Sequence, residues 1–137
     1  MRKYLSGKLD ALVSEHSAIL FIRVAAGALI LTHGIPKLTN VLSGQFQFGD
    51  PLGLGPALSL ILVAFAEGIC GFLVLIGLGT RLASIILVIN MAVAGFIAHA
   101  GDPFGTKEKA LLFLIFFIST SLLGGGKYSL DNKFFGK

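Results

Sequence analysis

Glu67 is the one Asp, Glu, Lys, Arg or His in an apolar run from Pro56 to Leu78. A carboxyl placed there serves as a proton carrier, a ligand group, or a counter-ion for a cation on a neighbouring helix. Candidate cations lie in the segment RVAAGALILTHGIPK, which carries Arg23, His33 and Lys37. On a helix with Arg23 at zero, Gly34 falls at about 20°, Gly27 at about 40°, Lys37 at about 320° and His33 at about 280°, so glycines and polar groups share one flank. A charge facing acyl chains costs a few kcal/mol, so this flank must face other helices or a wet cavity. Arg23 can reach toward Glu67 along its stem, and an Arg23–Glu67 pair is the expected counter-ion arrangement. His99 closes a later apolar run and Glu108 follows it. His33, Lys37, His99 and the Glu67 carboxyl are groups that can donate hydrogen bonds or protons to a bound ligand, which makes Glu67, His33 and His99 the candidate catalytic residues.

The elements that must position these groups are membrane spans. The 137 residues are 55% hydrophobic and 13% charged, with a mean hydropathy of +0.88, where a soluble domain carries about 25% charged residues. The net charge of +4 sits at the ends of apolar blocks rather than in a patch interleaved with aromatics, which argues against nucleic acid. The lone Cys70 excludes an intramolecular disulfide, a CxxC pair and a cysteine metal cluster.

The pattern predicts an all-α, polytopic four-helix bundle forming one domain over residues 1–137. Residues 1 to 16 read as an interfacial amphipathic helix. Spans are expected at about 18–38, ended by Pro36, then 56–78, 82–98 and 110–123. Residues 39–55, rich in glycine, read as a loop or a re-entrant segment, and 100–109 as a loop. Ala64 and Gly68 should admit a close helix neighbour, and Asn90 should make an interhelical hydrogen bond. With the N-terminus inside, the cytoplasmic face holds Arg2, Lys3, Lys8, Arg81, Lys127, Lys133 and Lys137 against Lys37, Lys107 and Lys109 outside. Both termini are therefore expected to be cytoplasmic, with His33, Lys37, His99 and Glu108 near the outer surface above Glu67. Such a polar track suits a pocket entered from the outer leaflet. Four short helices alone bury little, so a homo-oligomer is expected.

Several motifs together resemble the DoxX family: FIRVAAGALILTHGIPKL with Arg23, the HGxxK of His33, Gly34 and Lys37, AEGICGFLVLIGLGTR ending at Arg81, Lys107 with Glu108, and the closing GGGKYSLD. The likeness spans about residues 19–131. It implies a small multi-pass protein of the bacterial inner membrane, linked to quinone redox chemistry and oxidative stress. Arg23, His33, Lys37, Glu67, Arg81, His99 and Glu108 form the candidate ligand-binding set, with a quinone as the expected ligand and the bilayer and a redox subunit as partners. A scaffold subunit of a redox or stress-response complex is the non-enzymatic reading, and a proton or small-solute transporter a third. His33 and His99 at similar depth raise the question of a bis-histidine haem. His33, His99 and Glu108 come from separate segments without metal spacing, so no metal centre is expected.

Overall fold

The computed structural model describes residues 14–136. Among these the chain is all helical, without strands. All but the last three residues of the predicted N-terminal amphipathic helix lie outside the described range. Three helices are long and apolar enough to cross a membrane: α1 (Glu15–Leu42), α2 (Pro56–Ile76) and α3 (Thr80–Ala98). A further helix, α4 (Phe104–Leu123), packs along α3, and a short α5 (Leu130–Phe135) ends the chain.

Each boundary has a local cause. Ser14 caps α1 by accepting from the Ser17 N–H at 3.2 Å. Pro56 opens α2 at a position where its missing N–H costs nothing. In place of an N-cap side chain, Asp50 reaches back from the loop to accept from the N–H groups of Leu54 and Gly55 at 2.8 and 3.0 Å and from Ser59 Oγ at 3.0 Å. Gly77, left-handed at φ 74°, ends α2 with its N–H on Val74 O and that of Leu78 on Leu73 O.

Two boundaries differ from the sequence expectation. Pro36 does not end α1, which continues to Leu42. Thr32 Oγ1 donates to Leu29 O one turn before the proline, and Thr39 Oγ1 donates to Ile35 O after it, the kind of side-chain help that lets membrane helices carry proline. The fourth helix starts at Phe104 rather than 110, so the expected loop is shortened and Lys107, Glu108 and Lys109 lie on its first turns. Pro103 sets the entry to that helix, and the exposed face of those turns accommodates Glu108 and Lys109.

Small residues set the packing of α1 on α2. A Cβ on Gly27 would come within 2.8 Å of the Leu75 backbone, and one on Gly34 would overlap the Glu67 carbonyl. Gly68 in turn receives the Leu38 side chain, as the small pair with Ala64 leads one to expect. The shared core draws on all four long helices, with Ile30, Ala66, Val74, Leu87, Phe113 and Phe117 among its members. Phe113 and Phe117 stack at 5.9 Å. Outside, Phe21, Leu82, Ile89, Phe96 and Leu122 each expose more than half of their surface, the outward apolar coat a bilayer requires.

The described chain begins and ends at the same end of the bundle. Gly126 packs on Ile19, and Arg23, 2% exposed, donates from one terminal nitrogen to Val74 O at 3.1 Å and Leu75 O at 2.6 Å and from the other to Tyr128 O at 2.6 Å. A cation thus satisfies the last carbonyls of α2 and holds the tail. Asp131 completes the closure, accepting from Gly79 N–H at 2.6 Å and Thr80 N–H at 2.9 Å and so capping α3 from 51 residues away. Partial burial pushes the Asp131 carboxyl up, but the hydrogen bonds from Thr80 and Gly79 and the nearby Arg23 charge outweigh it and hold it below the usual carboxylate range.

With its folded value depressed, Asp131 stabilises the tail above the unfolded carboxylate range of about 4, and that contribution is lost as pH falls through the folded value. Amide exchange at Gly79 and Thr80, corrected for intrinsic rates, should therefore stay slow from neutral pH to about 4 and accelerate below it. Asp131→Ala should give the accelerated exchange at every pH, with a stability loss of about 1 kcal/mol. Unchanged protection in the variant would show that the carboxylate does not hold this end.

Candidate functional site

Glu67 lies in a π-helical turn, Phe65–Cys70, inside α2. Such a turn inserts one extra residue and widens the helix locally, and it recurs at functional sites. Here the widened turn presents a 7%-exposed carboxylate to two helices at once. Lys37 Nζ of α1 donates to Oε2 in a direct ion pair. Asn90 Nδ2 of α3 donates to Oε1 at 3.1 Å, the interhelical bond expected of Asn90.

The expected Arg23–Glu67 pair does not form. Arg23 is about three turns before Gly34 on α1, and its guanidinium is taken by the carbonyls at the far end of α2 and in the tail. Lys37 stands three residues after Gly34, where the two backbones touch, so its ammonium meets the carboxylate directly. Gly34 sets that geometry.

Beside the ion pair is a cavity of about 200 Å³, lined by Lys37 and Glu67, by His33 and His99, and by Thr106 and Lys109, with Ile30, Met91 and Phe113 as its apolar wall. A second π turn, Ala94–Ala98, borders it on α3 through Ala94. The His33 ring packs edge-on against Phe113 at 6.0 Å, and among the described residues it has no hydrogen-bond partner, so both nitrogens are available to a ligand. His99 Nδ1 donates to Asp102 Oδ2 at 2.7 Å, which orients the ring and leaves Nε2 unengaged. Lys109 likewise has no acceptor among the described residues.

The structure therefore gathers four of the seven candidate residues, His33, Lys37, Glu67 and His99, and separates three. Arg23 is structural. Arg81 lines an open groove against Gly124 at the opposite end. Glu108 is exposed on α4 and outside the cavity lining. Among the described residues no three His, Cys, Asp or Glu side chains come together as metal ligands, so His33, His99 and Glu108 do not form the three-ligand set. The cavity falls below the roughly 300 Å³ at which drug-sized ligand pockets begin, and it suits one ring rather than the macrocycle of a haem. Engineered cavities of roughly 150 Å³ take up a benzene. Sequence reasoning missed Thr106 and Lys109, whose only signal was their position a turn or two before Phe113 on what proved to be helix.

The chain matches a family model described as DoxX over residues 18–100. A Haemophilus influenzae protein named only as uncharacterized is 31% identical, covering 87% of this chain and 92% of its own length. The Bacillus subtilis protein named "Putative oxidoreductase CatD" is 31% identical over 82% of this chain and 83% of its own. The uncharacterized membrane protein Rv3486 of Mycobacterium tuberculosis is 32% identical over 85% and 80%. No solved structure gives a significant match.

Unpairing a charge buried at Glu67 is costly, so Lys37→Met and Glu67→Gln should each lower unfolding stability in a mild detergent by about 2 to 4 kcal/mol. The double mutant should lose clearly less than the sum, a coupling of about 1 to 3 kcal/mol, whereas Arg23→Gln and Glu67→Gln should add to within about 0.5 kcal/mol. Additivity for the Lys37 pair, or coupling for the Arg23 pair, would reverse the assignment.

Proposed function

This chain belongs to the DoxX family of membrane proteins, and from that premise we propose that it is a quinone-linked redox protein or subunit whose polar cavity holds a quinone head group. The observation that carries this reading is the cavity itself: unengaged donors at His33 and Lys109 stand beside a Lys37–Glu67 pair in a ring-sized space walled by Ile30, Met91 and Phe113. The printed name of the Bacillus subtilis relative, an oxidoreductase, points the same way.

The donor set fits the group. Two ring oxygens need hydrogen-bond donors, and His33 Nδ1 or Nε2, Lys109 Nζ and Thr106 Oγ1 are of that kind. A bound quinone would supply reversible two-electron, two-proton chemistry. The chain's residues manage the protons and the geometry. Lys37 Nζ donates to Glu67 Oε2, Asn90 fixes the carboxylate from the other side, and His99, anchored by Asp102, stands toward solvent as a relay. Met91, Ile30 and Phe113 exclude water from the inner wall. Electrons come from a partner subunit or a small reductant, since the sequence carries no flavin or nicotinamide fingerprint. In this reading the protein sits in the bacterial inner membrane with both described ends cytoplasmic and the cavity in the outer half.

One observation favours the non-enzymatic alternative, a scaffold subunit: Arg23, the most deeply buried cation among the described residues, serves the fold by holding the tail rather than a ligand.

Mass spectrometry of everything extractable from protein purified with its native lipids separates the two. The redox reading expects a quinone in about one-to-one amount with the wild type, falling at least tenfold in Glu67→Ala and His33→Ala, as loss of about 1.4 kcal/mol or more of binding would give. The same bulk lipid in all three samples would overturn it in favour of the scaffold.

A further inference from the structure

The cavity does not end at its apolar wall. On the lipid-facing side of His33 and Phe113 lies a second space of about 270 Å³ between α1 and α4, lined by Leu29, Thr32, Leu112 and Phe116 in addition to the His33, Phe113 and Lys109 that it shares with the polar cavity. The two spaces thus have three walls in common. The polar one holds every ionisable group of the site, and the outer one is almost wholly apolar, its only hydroxyl, Thr32 Oγ1, being tied to Leu29 O at 2.7 Å. Leu29, Leu112 and Phe116 are 54%, 50% and 40% exposed, so the outer space opens sideways to the bilayer.

We infer that the site is loaded laterally from the membrane through the seam between α1 and α4, and that its ligand is a ring compound with an apolar tail, the ring in the polar cavity and the tail in the outer groove. This rests on the head-group reading above and names the class of ligand within it. The occupant of the groove follows from continuity: the two spaces meet at His33, Phe113 and Lys109, so a tail leaving the ring site past His33 and Phe113 enters the groove directly and one molecule fills both. The edge-on contact of His33 and Phe113 is the gate between the two spaces, held by one aromatic contact and by no hydrogen bond among the described residues. Lys109 stands at the junction and lines both spaces. Leu29 and Leu112 line the groove and not the polar cavity, so they set tail specificity without touching the head-group chemistry.

The probes are a benzoquinone carrying a decyl chain and the same ring carrying a methyl group, titrated against the full chain in lipid nanodiscs. Each dissociation constant is corrected for the probe's partition into protein-free nanodiscs. That correction removes the general affinity of a tail for lipid, because acyl chains are as apolar as a leucine-lined groove, so what remains reports packing in the groove. The decyl probe is expected to bind roughly tenfold tighter than the methyl probe in the wild type. Filling the groove with Leu112→Trp or, independently, Leu29→Trp should bring that ratio to within about twofold while the methyl probe's affinity stays as in the wild type. Equal corrected affinities of the two probes for the wild type would overturn the lateral route and leave the head-group site standing. A wild-type ratio that neither tryptophan alters, with methyl binding retained, would likewise overturn it. Binding of neither probe would remove the head-group reading and this inference together.

Discussion

The structure depends on one interaction across the α1–α2 seam: a lysine and a glutamate that meet where two backbones touch. Neither charge is tolerable alone in apolar surroundings, and the pair is tolerable only at short range. Gly34 removes the side chain that would hold the helices apart, and the π turn in α2 swings the carboxylate into the gap. Asn90 then brings α3 to the same carboxylate. Three helices are registered on one polar point, and the cavity beside it is the space left over by that registration.

The opposite end is closed by different means. Arg23 is 2% exposed, yet it meets carbonyl oxygens rather than a carboxylate. The last carbonyls of α2 have no partners within the helix, and a cation among them satisfies those acceptors while pinning the tail. Asp131 does the converse for the first N–H groups of α3, so the two charged residues face each other across two helix ends of opposite polarity. This end is a stable clamp. The other, with unengaged donors and an aromatic contact in place of hydrogen bonds, is free to admit a ligand.

Most of the architecture was legible in the sequence because a bilayer imposes length and hydropathy on each element. The three long apolar helices sit close to their expected limits, and the failures fall where polar side chains substitute for the usual signals. Pro36 reads as a helix stop unless Thr32 and Thr39 are known to serve the backbone around it. Lys107, Glu108 and Lys109 read as loop because charge density outweighed helical propensity in the reading, though all three are good helix formers. The site was legible as a set and not as a pairing. His33, Lys37, His99 and Glu67 follow from a polar track that runs from the outer surface down to Glu67, but choosing Lys37 over Arg23 needs the point of closest approach. Gly34 beside Gly68 was the signal for it: two small residues mark where backbones touch, and Lys37 lies one turn from that point while Arg23 lies three turns away. Asp50, which ties the preceding loop to Ser59 in the first turn of α2, and Asp131, which caps α3 from outside it, leave no local motif at all.

Lys37, and not Arg23, neutralises Glu67 within the membrane. Solid-state NMR on the protein in lipid bilayers measures this directly, as the dipolar dephasing of the Glu67 side-chain carboxyl carbon by the nitrogen of labelled lysine or of labelled arginine. The account predicts strong dephasing by lysine that corresponds to a nitrogen within about 4 Å of the carboxylate and that disappears in Lys37→Met, with none from arginine. Dephasing by arginine that is lost in Arg23→Gln, or no dephasing by either label, would contradict it.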